Sequence, residues 1–152
     1  MIIALGADHR GCEVSQELAA KLEKAGHDVR VPVELTSESA DYPDYAAAVG
    51  RLVASGEAER GVLVCGSGIG MSIAANKVRG VRAALVHDEL SARMSRAHNN
   101  ANVVCVSADL LSAADVYKIV KVWLEEAFEG GRHQRRVDKI AAIERESCPT
   151  PS

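Results

Sequence analysis

The feature that most constrains this chain is a rhythm. Short apolar runs at 2–5, 29–31, 62–65, 83–86 and 103–106 alternate with longer stretches, about 12–25, 44–55, 71–77, 89–97 and 113–128, whose apolar residues recur at helical spacing. Runs this short and continuously apolar suit strands buried on both faces, as in parallel sheets. The βαβα order then places helices on both sides of the sheet. The expected fold is α/β: a single three-layer α/β/α domain around a five-stranded parallel, Rossmann-like sheet. Punctuation agrees. Gly26 and Gly56 stand where helices end, and Pro43 stands in the first turn of the second helix. The pair Gly130-Gly131 separates a last helix at about 134–146. The domain is expected over 1–146. The Pro-containing tail, 147–152, is expected to be disordered. The pattern fixes no strand order.

Hydrophobic residues make up 47% of the chain but aromatic ones only 3%, so Val, Ile, Leu and Ala must fill the core. The formal net charge of −3 argues against general affinity for nucleic acid or anionic membrane, so any positive site must be local. No apolar stretch approaches the length of a membrane span, and Met1-Ile2-Ile3-Ala4-Leu5 lacks the basic lead of a signal peptide. The cysteines Cys12, Cys65, Cys105 and Cys148 are widely spread with no Cys-x-x-Cys, which disfavours a disulfide framework or a zinc knuckle. A cytoplasmic location is expected, and no His, Cys or carboxylate set has convincing metal-ligand spacing.

In open parallel sheets ligands bind beyond the C-terminal strand ends. The loops there hold most of the chemically able residues: Asp8-His9-Arg10, Asp41-Tyr42-Pro43, Cys65-Gly66-Ser67-Gly68-Ile69-Gly70, His87-Asp88 and Asp109. Glycines alternating between a strand and a helix let backbone N–H groups approach an anion. The spacing excludes two familiar phosphate loops. A dinucleotide fingerprint needs glycine where Met71 stands, and no Gly-Lys-Ser/Thr follows as a P-loop requires. Cys65 leads this loop, and thiols at helix N-termini gain thiolate character, which makes it a candidate base. Without the glycines the plainer reading, an inert cysteine ending a strand, would prevail. That reading holds for Cys105.

Two further segments carry candidates. His98-Asn99-Asn100-Ala101-Asn102 lies at a helix-to-strand junction, where such residues often only cap and turn, although His98 is also a plausible general acid. Arg132 and Arg136 are four apart in a local basic cluster and can point the same way from a helical turn, an arrangement suited to phosphate as well as to a solvated face.

Taken together, Asp8-His9-Arg10-Gly11, Asp41-Tyr42-Pro43, Cys65 through Gly70, Ser72 through Lys77, Ser95-Arg96-Ala97-His98-Asn99 and Gly130-Gly131-Arg132-His133-Gln134 resemble the type B ribose-5-phosphate isomerase family, which includes galactose-6-phosphate and allose-6-phosphate isomerases. The resemblance implies an aldose–ketose isomerase of the pentose phosphate pathway that needs no metal and no organic cofactor. It implies Cys65 as the base, His98 as the ring-opening group, and the N–H groups of Gly66, Ser67, Gly68, Ile69 and Gly70 with the Ser67 hydroxyl as holders of the enediolate. It implies Asp8, His9, Tyr42 and Asn99 as contacts to the sugar or its phosphate, and Arg132 and Arg136 as the phosphate grip. It also implies a homodimer or homotetramer whose sites combine residues of two subunits.

The chain departs from the family pattern in places. Ser67 replaces a common threonine, and Glu34 falls where glycine is usual. Asp109 stands where many members carry an arginine that contacts phosphate. A carboxylate aimed inward would repel a phosphate, which bears on the choice of sugar. The alternatives are an isomerase for a tetrose or hexose phosphate or a free sugar, and a non-catalytic phosphosugar-binding module. The set Cys65, Ser67 and His98 speaks against the module, because binding alone needs no proton chemistry.

Overall fold

The computed structural model describes residues 1–147. The chain forms β1 (Ile2–Ala7), α1 (Cys12–Lys24), β2 (Asp28–Arg30), α2 (Tyr42–Ala54), β3 (Arg60–Cys65), α3 (Ile69–Ala75), β4 (Ala83–Leu85), α4 (Glu89–Ala97), β5 (Val103–Ser107), α5 (Ala113–Glu125) and α6 (Arg132–Ser147). All pairings are parallel and the strand order is β2-β1-β3-β5-β4. The βαβα rhythm is thus realised, with the first two and the last two strands each exchanged relative to chain order. Several boundaries move: α2 begins at Tyr42 rather than about 44, and α5 ends at Glu125 rather than about 128. α3 begins two residues earlier than the apolar pattern suggested, because the left-handed Gly68 launches it. The last helix runs from Arg132 through Ser147 rather than about 134–146. The rest of the expected tail, 148–152, lies outside the described residues.

The strands alternate between two apolar layers. On one face Ile3, Leu5, Val62, Val64, Val104 and Val106 pack under α1, α4 and α5, around the fully buried Trp123. On the other, Leu63, Cys65, Val103 and Cys105 pack under α2 and α3, with Tyr45, Val49 and Met71. This double burial explains why the strand segments read as continuous apolar runs rather than as alternating ones. Gly26 and Gly56 take positive φ just past their helices, as expected of C-terminal caps. Asp88 caps α4 through Ser91, whose N–H reaches its carboxylate at 2.6 Å, and these bonds lower the Asp88 pKa. Asp88 therefore has a structural explanation, and the His87 N–H joins the cap by donating to Ser91 Oγ at 3.2 Å. Asn76 closes the exposed edge of β4 by accepting from the Ala83 N–H and donating to the Ala83 carbonyl, both at 2.9 Å.

Candidate active site

The helices change face between β1 and β3, so the loops after these strands part and leave a crevice at their C-terminal ends. Cys65 ends β3 at this point and is 4% exposed. Gly68, at φ +77°, turns its N–H back onto Cys65 Sγ at 3.1 Å, a donor that steadies negative charge on sulfur. Ser67 Oγ accepts the Ile69 N–H at 3.2 Å, which leaves the hydroxyl hydrogen for another acceptor. The Tyr42 ring lies against Gly70, where a Cβ would stand 2.6 Å from ring carbons.

Neighbouring strands fix this loop. The Ala108 and Asp109 N–H groups donate to the carbonyls of Cys65 and Gly66 at 2.9 and 3.0 Å, and the Ser107 hydroxyl donates to the Gly66 carbonyl at 2.5 Å. The β1 loop is fixed as firmly. Buried Asp8 accepts the Arg10 and Gly11 N–H groups on one oxygen at 3.0 and 3.2 Å. His9 Nδ1 accepts the Ala40 N–H at 3.2 Å, which leaves its ring proton on Nε2 as a donor. Asp109 is not a bare carboxylate. Its Oδ2 receives both Nε and Nη2 of Arg10, at 3.1 and 2.7 Å, so the departure at position 109 is matched by a guanidinium from position 10. Glu34 is exposed, and its carbonyl accepts the Tyr45 hydroxyl.

A second group forms at the other edge of the sheet. α4 runs back toward the strand starts and ends at His98, next to Asn102, whose carbonyl accepts the Gly61 N–H at the start of β3. The His98 ring stacks on His133 of α6, with centroids 4.2 Å apart and planes inclined by 9°. His133 Nε2 lies 3.4 Å from a Glu129 oxygen. Burial lowers the His133 pKa, the neighbouring His98 and Arg132 lower it further, and Glu129 opposes them. Arg132 and Arg136 flank His133 on the exposed side of α6, and Asn99 is exposed beside His98. Asn100 and Asn102 serve the junction itself: Asn100 Oδ1 holds the buried Arg96 at 2.8 Å, and Asn102 Oδ1 holds the Arg82 N–H at 2.8 Å. Burial lowers the Arg96 pKa to about 10.

Asp8, His9, Tyr42, Cys65 and Gly66–Gly70 thus gather at one edge of the sheet, while His98, Asn99, Arg132 and Arg136 gather at the other. The four residue steps from Gly61 to Cys65 separate the edges by about 13 Å within one chain. His133, Glu129, Arg10 and Ser107 received no role from the sequence. His133 stood inside a quoted motif, but its burial and stacking become visible only when α6 folds back on α4. His98, Glu129 and His133 also bring three potential metal ligands within 4.8 Å of one another, which sequence spacing did not foresee. The two imidazoles are nearly parallel, so their in-plane lone pairs cannot meet at one ion without a ring turning. Burial pushes the Cys105 thiol upward, in keeping with an inert cysteine.

The fold is a three-layer α/β domain with a buried cysteine at the switch point of its parallel sheet. The chain belongs to the Ribose/Galactose Isomerase family, whose profile matches residues 3–140. It is 44% identical over 142 residues to ribose-5-phosphate isomerase B of Escherichia coli, covering 93% of this chain and 95% of that protein. It is 38% identical to a D-erythrulose-4-phosphate isomerase of Pectobacterium atrosepticum, over 93% of this chain and 94% of that protein. The solved structure of Clostridium thermocellum ribose-5-phosphate isomerase B superposes with a TM-score of 0.95 at 43% identity, covering 97% of this chain and all of that one. The chain is accordingly an isomerase.

Proposed function

We propose that this enzyme interconverts ribose 5-phosphate and ribulose 5-phosphate through an enediolate, with Cys65 as the base that carries the proton between C1 and C2. The observation that carries this reading is the sulfur itself: buried, faced by the Gly68 N–H, and set in a loop buttoned to β5 on one side. Gly68 and Ile69 spend their N–H groups on Cys65 and Ser67. The enediolate oxygens therefore fall to the Ser67 hydroxyl and the remaining N–H groups across Gly66–Gly70. Asp8, His9 and Tyr42 line the sugar's path. His98 opens the ring as general acid and base, with Asn99 beside it, and Arg132 and Arg136 grip the phosphate. This chemistry asks for a base, an acid and fixed donors. A metal or redox cofactor has no step to perform.

Because one chain holds the two groups at opposite edges, the complete site is assembled from two copies, in a homodimer or homotetramer. Exposed apolar side chains beside both groups support this association: Ile69 and Ile73 on α3, Ile140 and Ile143 on α6. No helix among the described residues is long and apolar enough to cross a membrane, and a cytoplasmic place in the pentose phosphate pathway fits the reading. The second reading, a different sugar phosphate, is favoured by one observation: the relative named for D-erythrulose 4-phosphate shares 38% of its residues with this chain.

A panel of tetrose, pentose and hexose phosphates, each with its free sugar, tests the substrate. Ribose 5-phosphate is expected to have the highest kcat/KM, and a preference for another sugar phosphate or for a free sugar would refute the assignment. Cys65→Ala is expected to lose about 10²–10⁴ in kcat while still binding ligand. Near-normal turnover would refute the role of the thiol.

A further inference from the structure

The five strands lead into loops at 8–11, 31–41, 66–68, 86–88 and 108–112, and Arg10 is the only Lys or Arg among those residues, against Asp8, Glu34, Glu38, Asp41, Asp88 and Asp109. At this end the chain's own loops supply one full-time cation to meet a dianionic substrate, beside the Arg132 and Arg136 that a second copy would bring. Arg10 is also unusually well held for an exposed arginine. Its backbone N–H is tied to Asp8, and its Nε and Nη2 converge on one Asp109 oxygen. Asp109 is tied in turn by its own N–H to the Gly66 carbonyl. The pair lies directly on the glycine loop: a Cβ on Gly66 would stand 2.8 Å from Arg10 Nε and 2.9 Å from Asp109 Oδ2. The guanidinium therefore rests on the residue next to Cys65, and among the described residues its Nη1 meets no protein acceptor. Beside it, His9 presents an Nε2 donor, and a cleft of about 460 Å³ opens against His9, Arg10, Thr36 and Ser37.

The side chains of the pair are 57% and 44% exposed, and exposed ion pairs add little to stability, so folding alone does not account for the arrangement. A planar guanidinium with one edge fixed by a carboxylate and the other open is prepared for a second anion. We propose that Arg10, oriented by Asp109, binds the phosphate end of the substrate at the sheet edge, so that this pair makes the site selective for phosphorylated sugars. The inference rests on the ribose 5-phosphate reading above and deepens it. Asp109 is then a positioning residue. Far from repelling the substrate, its carboxylate is paired with Arg10 through Oδ2 and aims that side chain.

The test compares wild type, Arg10→Gln, Asp109→Asn and the double variant. The readouts are kinetics with ribose 5-phosphate and with free ribose, and the binding of inorganic phosphate followed by phosphorus NMR. Arg10→Gln removes a charged donor and uncovers the Asp109 carboxylate. It should raise the ribose 5-phosphate KM and the phosphate Kd roughly tenfold or more, with kcat nearly kept and the free-sugar KM unmoved. Asp109→Asn should raise both a few-fold, and the double variant should be no worse than Arg10→Gln. The sign of the Asp109→Asn effect is decisive, because a merely repulsive carboxylate would lower KM when neutralised. That result, or an unchanged phosphate Kd in Arg10→Gln, or a loss confined to kcat, would overturn the proposal. Phosphate binding is read without turnover. A wild type that binds phosphate through Arg10 yet isomerises no ribose 5-phosphate would support the anion site and refute the ribose 5-phosphate reading.

Discussion

Gly68 is where backbone conformation, packing and chemistry meet, and Gly68→Ala separates them. At φ +77° an L-residue pays roughly 1–2 kcal/mol for the left-handed region. The new Cβ would also stand 2.7 Å from Leu85 Cδ1 and 3.1 and 3.2 Å from the carbonyl carbon and oxygen of Val106. The leucine tip can yield but the β5 backbone cannot, and such overpacking costs about 1–3 kcal/mol. Together these give about 2–5 kcal/mol, or a fall in Tm of roughly 5–15 °C for a chain of this size. Relief can come only by lifting the loop. That would draw the Gly68 N–H off Cys65 Sγ, and a misplacement of about 1 Å at a reacting group costs on the order of 10² in rate. Gly26→Ala is the control: φ there is +92° and nothing lies within 4 Å of the added Cβ, so it shares the backbone cost alone. Calorimetry and kcat/KM should show both variants destabilised, Gly68→Ala more so, with activity lost only in Gly68→Ala. A Gly68→Ala enzyme within 2 °C and twofold of wild type would refute the reasoning.

Three other outcomes are expected. His98→Asn should impair turnover of a cyclising pentose phosphate far more than that of a tetrose phosphate that stays open-chain, as kcat/KM on the two will show; equal losses would deny it ring opening. Burial holds the His133 pKa below its ordinary value near ~6.5, so between the two values the unfolded chain carries more protons and stability rises with pH. Tm measured from pH 5 to 7.5 should therefore climb more steeply in wild type than in His133→Gln, and equal slopes would contradict the assignment. Exhaustive EDTA treatment should leave kcat/KM unchanged, whereas a loss restored by a divalent ion would mean that His98, Glu129 and His133 rearrange around a metal.

The fold was legible because each strand is buried on both faces and each helix on one, and the two patterns differ in period. Strand order was not, since β4 and β5 are both short apolar runs and only the crossover lengths and packing decide which lies inside. Within the site, Cys65 and its glycines declared themselves through local spacing. Arg10 did not, because its meaning comes from Asp109, 99 residues away, and an ion pair across two loops leaves no periodic trace. The stack of His98 on His133 was hidden for the same reason. Asn100 and Asn102 lie in a run whose residue types suit capping and turns, and the structure gives them that work of closing a junction.

The central claim is that Cys65 of one chain and His98 of another complete a single isomerase site. Co-refolding two inactive variants, Cys65→Ala and His98→Asn, tests it most directly. In a mixed pair one site inherits both substitutions and the other inherits neither. With random pairing in a twofold dimer, about one quarter of the wild-type ribose 5-phosphate isomerase activity should return. Activity no greater than the sum of the two separate variants, in a preparation shown to contain mixed pairs, would contradict the account.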